Sequence, residues 1–507
     1  MSESTQGAAA APFGGVPRWA LVAALVAFAL VLQGARPLFD PDEGRYTAVA
    51  LQMLDSGDWL TPRLHHEVPH FSKPPLTYWA LASSMALFGR SEWAVRLPNA
   101  LAFAATVLLV FALARRLAPA RPALAALVQA TSLLPFAAAN VVTTDTLLAL
   151  FETLAVTGFV LLRWAGASAE RARWLLWGGF GLAFLTKGPP GLLPLAAIVV
   201  FTAWVDGGRG LARLVSMRSS ALFLALAFGW YGWQLSQRPD LFGYLLGEEV
   251  VDRIASTEFD RNATLLGLLE TYLPVVVIGP LPWWPLLLRR RGAGECVAGG
   301  GLAALRAEPE RLFLWLWLLL PLAVFCISRS RLPLYLLPLA VPLSLLVARR
   351  LAGRLELGPR QRRLVAGWIL VLIAIKGAGA LLETDRNGRR LAEAIRRAVP
   401  YPPGEVLFVE HRAFYTPAFY LGVEVEQVDL ESSRRYVPGP SYRPVTTTLA
   451  AELAEDEQHR VFVLLRSQEA PWRAELAALG VASRRAGEFG RFVIYSEPAP
   501  ARPPLAP

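Results

Sequence analysis

Eleven apolar stretches, each close to the length needed to cross a lipid bilayer, dominate this chain of 507 residues. A helix needs about 20 consecutive apolar residues to span the hydrocarbon core of a bilayer. Charged residues make up only 18% of the chain and hydrophobic residues 54%, which excludes an ordinary soluble domain, a disordered chain and a nucleic-acid-binding protein. The stretches lie near 17–35, 93–114, 123–139, 143–162, 174–187, 189–205, 220–236, 264–288, 312–328, 332–348 and 364–382. We therefore predict a mainly α-helical polytopic membrane protein with about 11–13 transmembrane helices.

The loops between these stretches differ in charge. Every second loop is rich in arginine, at 115–121, 163–173, 209–218, 289–291 and 349–363. Cytoplasmic loops of membrane proteins carry an excess of Lys and Arg, so these loops are predicted to face the cytoplasm. The amino terminus then lies in the cytoplasm, and the alternate loops and the carboxyl-terminal region lie in the outer compartment. Much of the net charge of +10 is thus explained by topology.

The composition changes near residue 384 to that of a soluble domain. Helical patterns and short β-rich runs alternate there, at 388–399, 405–410, 447–457, 461–466, 470–479 and 491–497. We predict a transmembrane domain over 1–383, a soluble α/β domain over 384–497 and a disordered Pro-rich tail over 498–507. The two cysteines, Cys296 and Cys326, offer neither a disulfide framework nor a thiolate metal site.

The first outer loop, 36–91, begins with a predicted helix. Asp40 is expected to cap it, Pro41 to stand at its first position and Glu43 to complete a capping box. Apolar residues then recur every three or four positions from Tyr46 to Leu54, a stripe too short to cross a bilayer. We predict that this helix lies along the membrane surface.

Capping does not explain Asp42, which shares a helix face with Arg45 three residues later. An ordinary interfacial ion pair of little energetic value is one interpretation. The functional interpretation is a carboxylate and a guanidinium presented at the level of the lipid headgroups, where phosphates lie.

Lysine is rare in this chain: it occurs three times, as Lys73, Lys187 and Lys376. Lys73 stands directly before two prolines that begin another short helix, ending at Gly89, so its ammonium lies near a helix amino terminus that favours an anion such as phosphate. The alternative is a lysine whose charged end simply extends to the membrane surface beside aromatic residues.

Three further outward turns carry charge. Asp145 begins the fourth apolar stretch, where it could also act as a cap. Lys187 lies in a Gly-Pro turn that does not require a lysine. Arg329 and Arg331 occupy an outward turn that the positive-inside rule would keep neutral, which indicates an anionic partner. Together, the outward residues predict a cationic pocket with two carboxylates, Asp42 and Asp145, as candidate acid–base groups.

Five short motifs in these turns resemble the bacterial polyprenyl-phosphate-dependent glycosyltransferases that include the aminoarabinose–lipid A transferases, and more distantly the protein O-mannosyltransferases. The motifs run in the family's order through the membrane portion, roughly 17–382: Asp42-Glu43-x-Arg45-Tyr46, Lys73-Pro74-Pro75 with Tyr78-Trp79, the Asp145 turn, Leu185-Thr186-Lys187-Gly188-Pro189 and Ser330-Arg331-Leu332-Pro333-Leu334-Tyr335. The resemblance implies a GT-C membrane fold in the bacterial inner membrane and a periplasmic active site.

The resemblance also implies roles for single residues. Asp42 corresponds to the carboxylate that activates or orients the acceptor, and Asp145 to a second active-site acid. The remaining site residues correspond to groups that bind the donor phosphate or line its cavity: Arg45, Tyr46, Lys73, Lys187, Arg331 and Tyr335. The implied donor is an undecaprenyl-phosphate-linked sugar, the implied acceptor is a lipid A-like glycolipid or a protein hydroxyl, and the implied reaction is an inverting displacement.

One residue departs from the family pattern. The aminoarabinose transferases have a glutamate directly before the lysine, and that carboxylate can hold a metal ion, whereas this chain has Ser72. Serine is a poor zinc ligand, so no metal is assigned here and a divalent ion is doubtful. The nearby His65, His66 and His70 are interpreted as solvent-exposed loop residues.

A transporter or flippase for a lipid-linked anion is the competing prediction, and a non-catalytic scaffold is a third. A transporter is expected to place its binding groups near the midplane between repeated halves. The polar groups here cluster on one side of the membrane, which favours the transferase.

Overall fold

The computed structural model describes residues 17–66, 69–166, 168–247, 262, 264–285, 308–351, 358–430, 446–455 and 459–497. The arginines at 289–291, Cys296 and the predicted tail at 498–507 lie outside the described residues. Helices of the membrane portion are α1 (Arg18–Leu30), α2 (Asp42–Ser56), α3 (Leu76–Phe88), α4 (Glu92–Leu117), α5 (Pro122–Thr131), α6 (Leu133–Ala138), α7 (Asp145–Trp164), α8 (Ala169–Lys187), α9 (Leu193–Val205), α10 (Gly207–Leu214), α11 (Met217–Gln237), α12 (Leu241–Leu246), α13 (Leu265–Ile278), α14 (Pro309–Ile327), α15 (Ala340–Leu351) and α16 (Pro359–Ala378). Short 3₁₀ turns precede α9 (Pro189–Leu192) and α15 (Pro333–Leu339) and follow α16 (Gly379–Leu381).

Five helical segments within the described ranges are long and apolar enough to cross a membrane: Glu92–Leu117, Asp145–Trp164, Pro309–Ile327, Pro333–Leu351 and Pro359–Leu381. The pair α10 and α11, bent by 60°, would provide a sixth. Several other apolar stretches form helices of 10 to 17 residues: Arg18–Leu30, Leu76–Phe88, Pro122–Thr131, Pro189–Val205 and Leu265–Ile278. The polytopic helical architecture is confirmed, and several predicted spans are shorter than their apolar runs.

The stretch at 123–139 shows how an apolar run is broken. It forms α5 and α6, with Ser132 between them. The backbone N–H groups of Leu133 and Leu134 donate to the carbonyls of Leu281 (3.2 Å) and Gly279 (3.0 Å). A break in a buried helix is tolerated where another segment satisfies its free backbone groups.

The carboxyl-terminal part contains a six-stranded sheet with the order β3-β2-β1-β4-β6-β5. Its strands are β1 (Glu405–Val409), β2 (Glu424–Asp429), β3 (Thr446–Thr448), β4 (Arg460–Leu465), β5 (Arg484–Phe489) and β6 (Phe492–Ser496). Strands β1 to β4 pair in parallel, whereas β6 runs antiparallel to β4 and to β5. The accompanying helices are α17 (Gly388–Ala398), α18 (Thr416–Leu421), α19 (Leu449–Leu453) and α20 (Glu469–Ala478), with a 3₁₀ turn at Arg466–Gln468. This confirms the predicted α/β fold after the membrane helices.

The apolar stripe of α2 is covered by protein. Tyr46, Val49 and Met53 are buried in one hydrophobic cluster with α3 and with sheet residues such as Val406 and Phe408. The other face of the sheet packs on α19 and α20 in a separate cluster. Helix α2 therefore joins the membrane portion to the sheet domain, a contact that the periodicity of the stripe could not identify.

Glycine permits the closest approach in this contact. A Cβ at Gly44 would collide with the carboxylate of Asp40 and with the backbone of Thr416. A Cβ at Gly388 would collide with the Thr416 side chain. The start of α18 thus fits between α2 and α17 only because both positions lack a side chain.

Candidate active site

A buried ion pair lies at one end of two adjacent antiparallel helices. Asp145 is the first residue of α7 and Lys187 is the last residue of α8, and their carboxylate and ammonium are in direct contact. Only 9% of the Asp145 side chain and 8% of the Lys187 side chain are exposed. The ammonium also stands 4.2 Å from the centre of the Tyr335 ring, a cation–π distance.

A second, more open ion pair lies in the first turn of α2. The Arg45 guanidinium donates to Asp42 across 2.8 Å, and 51% of the Asp42 side chain is exposed against 19% for Arg45. The guanidinium carbon of Arg45 lies 5.4 Å from the Tyr46 ring centre. Its buried Nε has no hydrogen-bond partner among the described residues, so it remains available to an anion.

Tyr46 links the two ion pairs. Burial raises the pKa of the Tyr46 phenol, the charges of Asp42 and Asp145 raise it further, and those of Arg45 and Lys187 lower it. All four charged groups therefore lie within electrostatic range of one hydroxyl. The structure brings these residues and Tyr335 into one region, although they come from four separate stretches of the chain.

Lys73 lies in the turn before α3. Its ammonium donates to the carbonyl of Ser72 across 2.7 Å, and the side chain is half-buried. The neighbouring Phe71 packs in one cluster with Leu185 of α8 and Trp230. This packing places the Lys73 turn beside the end of α8 that carries Lys187.

Arg331 is buried, with its guanidinium directed at backbone carbonyls. It donates to the carbonyls of Asn262 (2.6 Å), Thr264 (3.0 Å) and Cys326 (2.9 Å). These bonds connect the turn after α14 to the start of α13. The contact of Arg331 with a donor phosphate stays a prediction, because the guanidinium already donates three hydrogen bonds to backbone carbonyls of the protein.

The predicted capping box is wrong for Glu43 and Pro41: α2 begins at Asp42, Pro41 precedes its first residue, and Glu43 binds other groups. The Glu43 carboxylate accepts from Arg36 (2.8 Å) and Arg96 (3.0 Å), and also from the backbone N–H groups of Phe39 (2.9 Å) and Val142 (3.2 Å). Burial alone would raise its pKa, but Arg96 and Arg36 hold it down at about 2. Since Val142 belongs to the turn before Asp145, Glu43 connects the first turn of α2, which carries Asp42 and Arg45, to the start of α7.

The predicted cap at Asp40 is wrong. No side chain caps α2, and the buried Asp40 carboxylate instead accepts from the backbone N–H of Tyr415 (2.9 Å) and from Thr416 at the start of α18. Burial raises the pKa of Asp40 to about 7, against the opposing effect of these hydrogen bonds. An Asp directly before a Pro at a helix start gives the same local sequence pattern whether it caps that helix or binds another segment. The sequence therefore could not distinguish the two roles of Asp40.

Glu152 was missed by sequence reasoning. It lies two turns beyond Asp145 on α7 and is only 3% exposed. Its carboxyl group interacts electrostatically with Lys187 and Asp145. A glutamate inside an apolar stretch is a functional signal, because a charge at membrane depth is costly. The stretch at 143–162 carried that signal.

The histidine interpretation is corrected in part. His66 is exposed as predicted, but His65 and His70 are buried, at 5% and 4% exposure. Ser72 Oγ lies 2.6 Å from His70 Nε2. The turn at 70–73 offers an imidazole, a hydroxyl and an ammonium but no carboxylate, so it does not fit the metal ion that the family's glutamate can hold.

Comparison with known proteins gives consistent matches. Residues 72–233 match the model of the dolichyl-phosphate-mannose-protein mannosyltransferase family. The undecaprenyl phosphate-alpha-4-amino-4-deoxy-L-arabinose arabinosyl transferase of Aeromonas hydrophila is 31% identical over 361 residues, which cover 69% of this chain and 63% of that protein. The enzyme of the same name from Edwardsiella ictaluri is 33% identical over 383 residues, covering 72% and 64%. The chain thus spans a little under two thirds of the length of these relatives.

A solved structure extends the likeness over nearly the whole chain. The crystal structure of ArnT from Cupriavidus metallidurans bound to undecaprenyl phosphate superposes with a TM-score of 0.72 at 22% identity, covering 95% of this chain and 98% of that one. At this identity the match establishes the fold, and the predicted GT-C membrane fold with a carboxyl-terminal sheet domain is confirmed.

Proposed function

We propose that this chain, which belongs to the GT-C family of membrane glycosyltransferases that includes the aminoarabinose transferases, moves a sugar from a polyprenyl-phosphate-linked donor to an acceptor in the cell envelope. The observation that carries the proposal is the convergence of the Asp145–Lys187 and Asp42–Arg45 pairs around Tyr46. Related proteins named for an undecaprenyl-phosphate sugar donor support the substrate class.

The cations of the site suit a phosphate. The Arg45 Nε has no hydrogen-bond partner within the described ranges, and Lys187 is held in place by Asp145 and the Tyr335 ring. A guanidinium and an ammonium stabilise the negative charge that develops on a leaving lipid phosphate. We include Lys73 as a third phosphate ligand, because its turn packs beside the end of α8.

The arrangement of the helix ends supports an outer-face site. Asp145 and Lys187 lie at one end of α7 and α8, whereas Arg163, Arg171 and Arg173 lie at the other. Since arginine-rich ends face the cytoplasm, the site opens toward the periplasm, and the sheet domain that packs on α2 lies there too. We accordingly assign the protein to the bacterial inner membrane with its amino terminus in the cytoplasm.

In the proposed reaction an acceptor hydroxyl oxygen attacks the anomeric carbon from the face opposite the phosphate. The new carbon–oxygen bond forms as the bond from the anomeric carbon to the phosphate oxygen breaks, and that electron pair leaves with the lipid phosphate. The hydroxyl proton passes to a carboxylate. Asp42 is the better base, because half of its side chain is exposed while Asp145 is enclosed with Lys187. We assign Asp145 the role of positioning Lys187.

The acceptor is proposed at class level, as a lipid A-like glycolipid or a protein hydroxyl. The donor chemistry involves no nucleotide, and the turn at Ser72 lacks the carboxylate that would hold a metal ion there.

Transfer by an Asp42→Asn variant tests the proposal. Asn keeps the side-chain shape but cannot take a proton, so transfer from labelled undecaprenyl-phosphate sugar in membranes should fall by about 10²–10⁴-fold. Asp55→Asn is the matched control, because Asp55 is an equally exposed acid at the far end of α2, paired with Arg90. Full transfer by Asp42→Asn would remove the assignment of the base. Movement of the labelled lipid across vesicles without sugar transfer by the wild type would favour the transporter instead.

A further inference from the structure

A cluster of two histidines and one glutamate, with a second glutamate beside it, lies where the first outer loop meets the sheet domain. Atoms able to ligate a metal on His65, His66 and Glu424 all lie within 4.8 Å of one another. Glu426, two residues along β2 on the same face, approaches His65 Nδ1 to 3.1 Å. Neither the proposed sugar transfer nor the turn at Ser72 uses these four residues.

We propose that this cluster binds a divalent transition-metal ion of the zinc class, which links the outer loop to strand β2. Imidazole nitrogen and carboxylate oxygen are the ligands that zinc takes besides thiolate. With neutral imidazoles, the two carboxylates balance the charge of a divalent cation.

The distances suit such an ion. Ligands at about 2.0–2.2 Å from a tetrahedral zinc lie roughly 3.3 Å from one another. The His65–Glu426 distance of 3.1 Å already matches this spacing, whereas the His66–Glu424 distance of 2.5 Å must open slightly. This one change falls within ordinary side-chain rotation. The two histidine rings stand edge to face with their centres 6.2 Å apart.

The surroundings provide an entry path and a supporting shell. The His66 side chain is 59% exposed, so an ion can enter from solvent. The His65 side chain is only 7% exposed, so the ion is partly shielded once bound. Gln52 of α2 donates to Glu424 (3.3 Å), and Arg63 donates to the backbone carbonyl of His66 (3.0 Å). Such partners orient metal ligands.

The ion would act on structure rather than on the reaction. The loop from α2 to Lys73 contacts strand β2 at these histidines, so cross-linking it to β2 restricts the segment that carries Lys73. Binding to the folded protein also raises its thermal stability by mass action.

Zinc titration of the chelator-stripped full-length protein in detergent tests this inference without measuring sugar transfer. We expect saturable binding of one Zn²⁺ per chain, a rise in Tm with Zn²⁺, and at least a tenfold weaker affinity in His66→Ala and in Glu424→Gln. Both changes are at accessible positions, which favours folding of the variants, and the Tm of each metal-free variant checks it.

Two controls separate this site from others. Ser72→Ala should bind Zn²⁺ as the wild type does, and so should His459→Ala, which removes a histidine that stacks on Tyr401 in the sheet domain. Absence of saturable binding, wild-type affinity in both His66→Ala and Glu424→Gln, or loss of binding in Ser72→Ala would each overturn the proposal. None of these outcomes depends on whether the protein transfers sugar.

Discussion

Asp42 and Glu43 are adjacent acids in the same helical turn, yet their surroundings differ completely. Glu43 is 2% exposed and receives hydrogen bonds from two arginines and two backbone N–H groups. Asp42 is half exposed and contacts the Arg45 guanidinium. A carboxylate whose oxygens are saturated by the protein holds structure together, whereas one that faces solvent and a cation can act on a ligand.

The same contrast separates the buried Arg96 from Arg45. Arg96 gives its N–H groups to Glu43 and to the backbone carbonyls of Gln33, Arg36 and Pro37. Arg45 keeps its Nε unbonded within the described structure. Proximity in sequence therefore does not decide which charged groups keep hydrogen-bonding capacity for a ligand; the tertiary contacts of each group do.

The largest expected effect comes from Glu43→Gln. Removing one charge of a buried ion pair leaves the other uncompensated, which typically costs about 3–5 kcal/mol of stability. We expect a marked fall in Tm, measured in detergent, while Asp42→Asn lowers stability by less than about 0.5 kcal/mol as a surface change. Equal losses in the two variants would end the distinction between them.

The same pair predicts a pH dependence. Because Arg96 and Arg36 depress the folded-state pKa of Glu43 to about 2, its ionised form stabilises the protein above its ordinary pKa, and this stabilisation is lost as the pH falls through that window toward 2. The Tm difference between wild type and Glu43→Gln should therefore be largest near pH 7 and shrink below pH 4.5. A difference that stays constant with pH would contradict the ionised state of Glu43.

The Asp145–Lys187 pair is expected to separate stability from activity. Lys187→Met alone leaves a buried carboxylate without its cation, at a cost of about 3 kcal/mol or more. Adding Asp145→Asn should restore much of the Tm, because the uncompensated charge is gone, but transfer should stay at least about 10²-fold reduced. Recovery of transfer in the double variant would show that Lys187 does not act on the phosphate.

Gly44→Ala tests the contact between α2 and the sheet domain. The added methyl collides with Asp40 and Thr416, so the expected cost is about 1–3 kcal/mol. Gly367→Ala is the control, because a Cβ added at Gly367 would meet open space. Gly57→Ala would not serve, because the positive φ of 71° at Gly57 strains any side chain. Unchanged stability in Gly44→Ala would mean that the sheet domain shifts away without cost.

The smallest effect concerns the Tyr335 ring. Tyr335→Phe keeps the face over the Lys187 ammonium, while Tyr335→Leu removes it and should cost about 0.5–2 kcal/mol of binding or stability. We expect the apparent affinity for the lipid-phosphate donor to weaken in the Leu variant more than in the Phe variant. Equal behaviour of the two variants would show that the hydroxyl, not the ring, matters.

Local patterns predicted local features well. The strands β1, β4 and β6 and the helices α17 and α20 lie close to their predicted ranges, because alternation and helical periodicity are properties of short windows. Strand β2 carries Glu424 and Glu426 on one face and has only two apolar residues, Val425 and Val428, which hides it from a hydrophobicity pattern. The residues of the candidate site were predicted from the rarity of lysine and from the unusual charges in the turns that are predicted to face outward.

The sequence by itself determined that this chain enters a membrane, which ends of its helices carry arginine, and which charged residues of its predicted outer turns have no obvious structural reason to be there. Hydropathy and charge are summed over neighbouring residues, so they can be read along the chain. Only the tertiary structure decided that Lys187 pairs with Asp145, that Asp40 holds the start of α18, and that Arg331 bonds to backbone carbonyls. These partners are brought together by helix packing across long sequence distances. Several residues carry the same charge, and which of them form a pair depends on which groups the packing buries away from water.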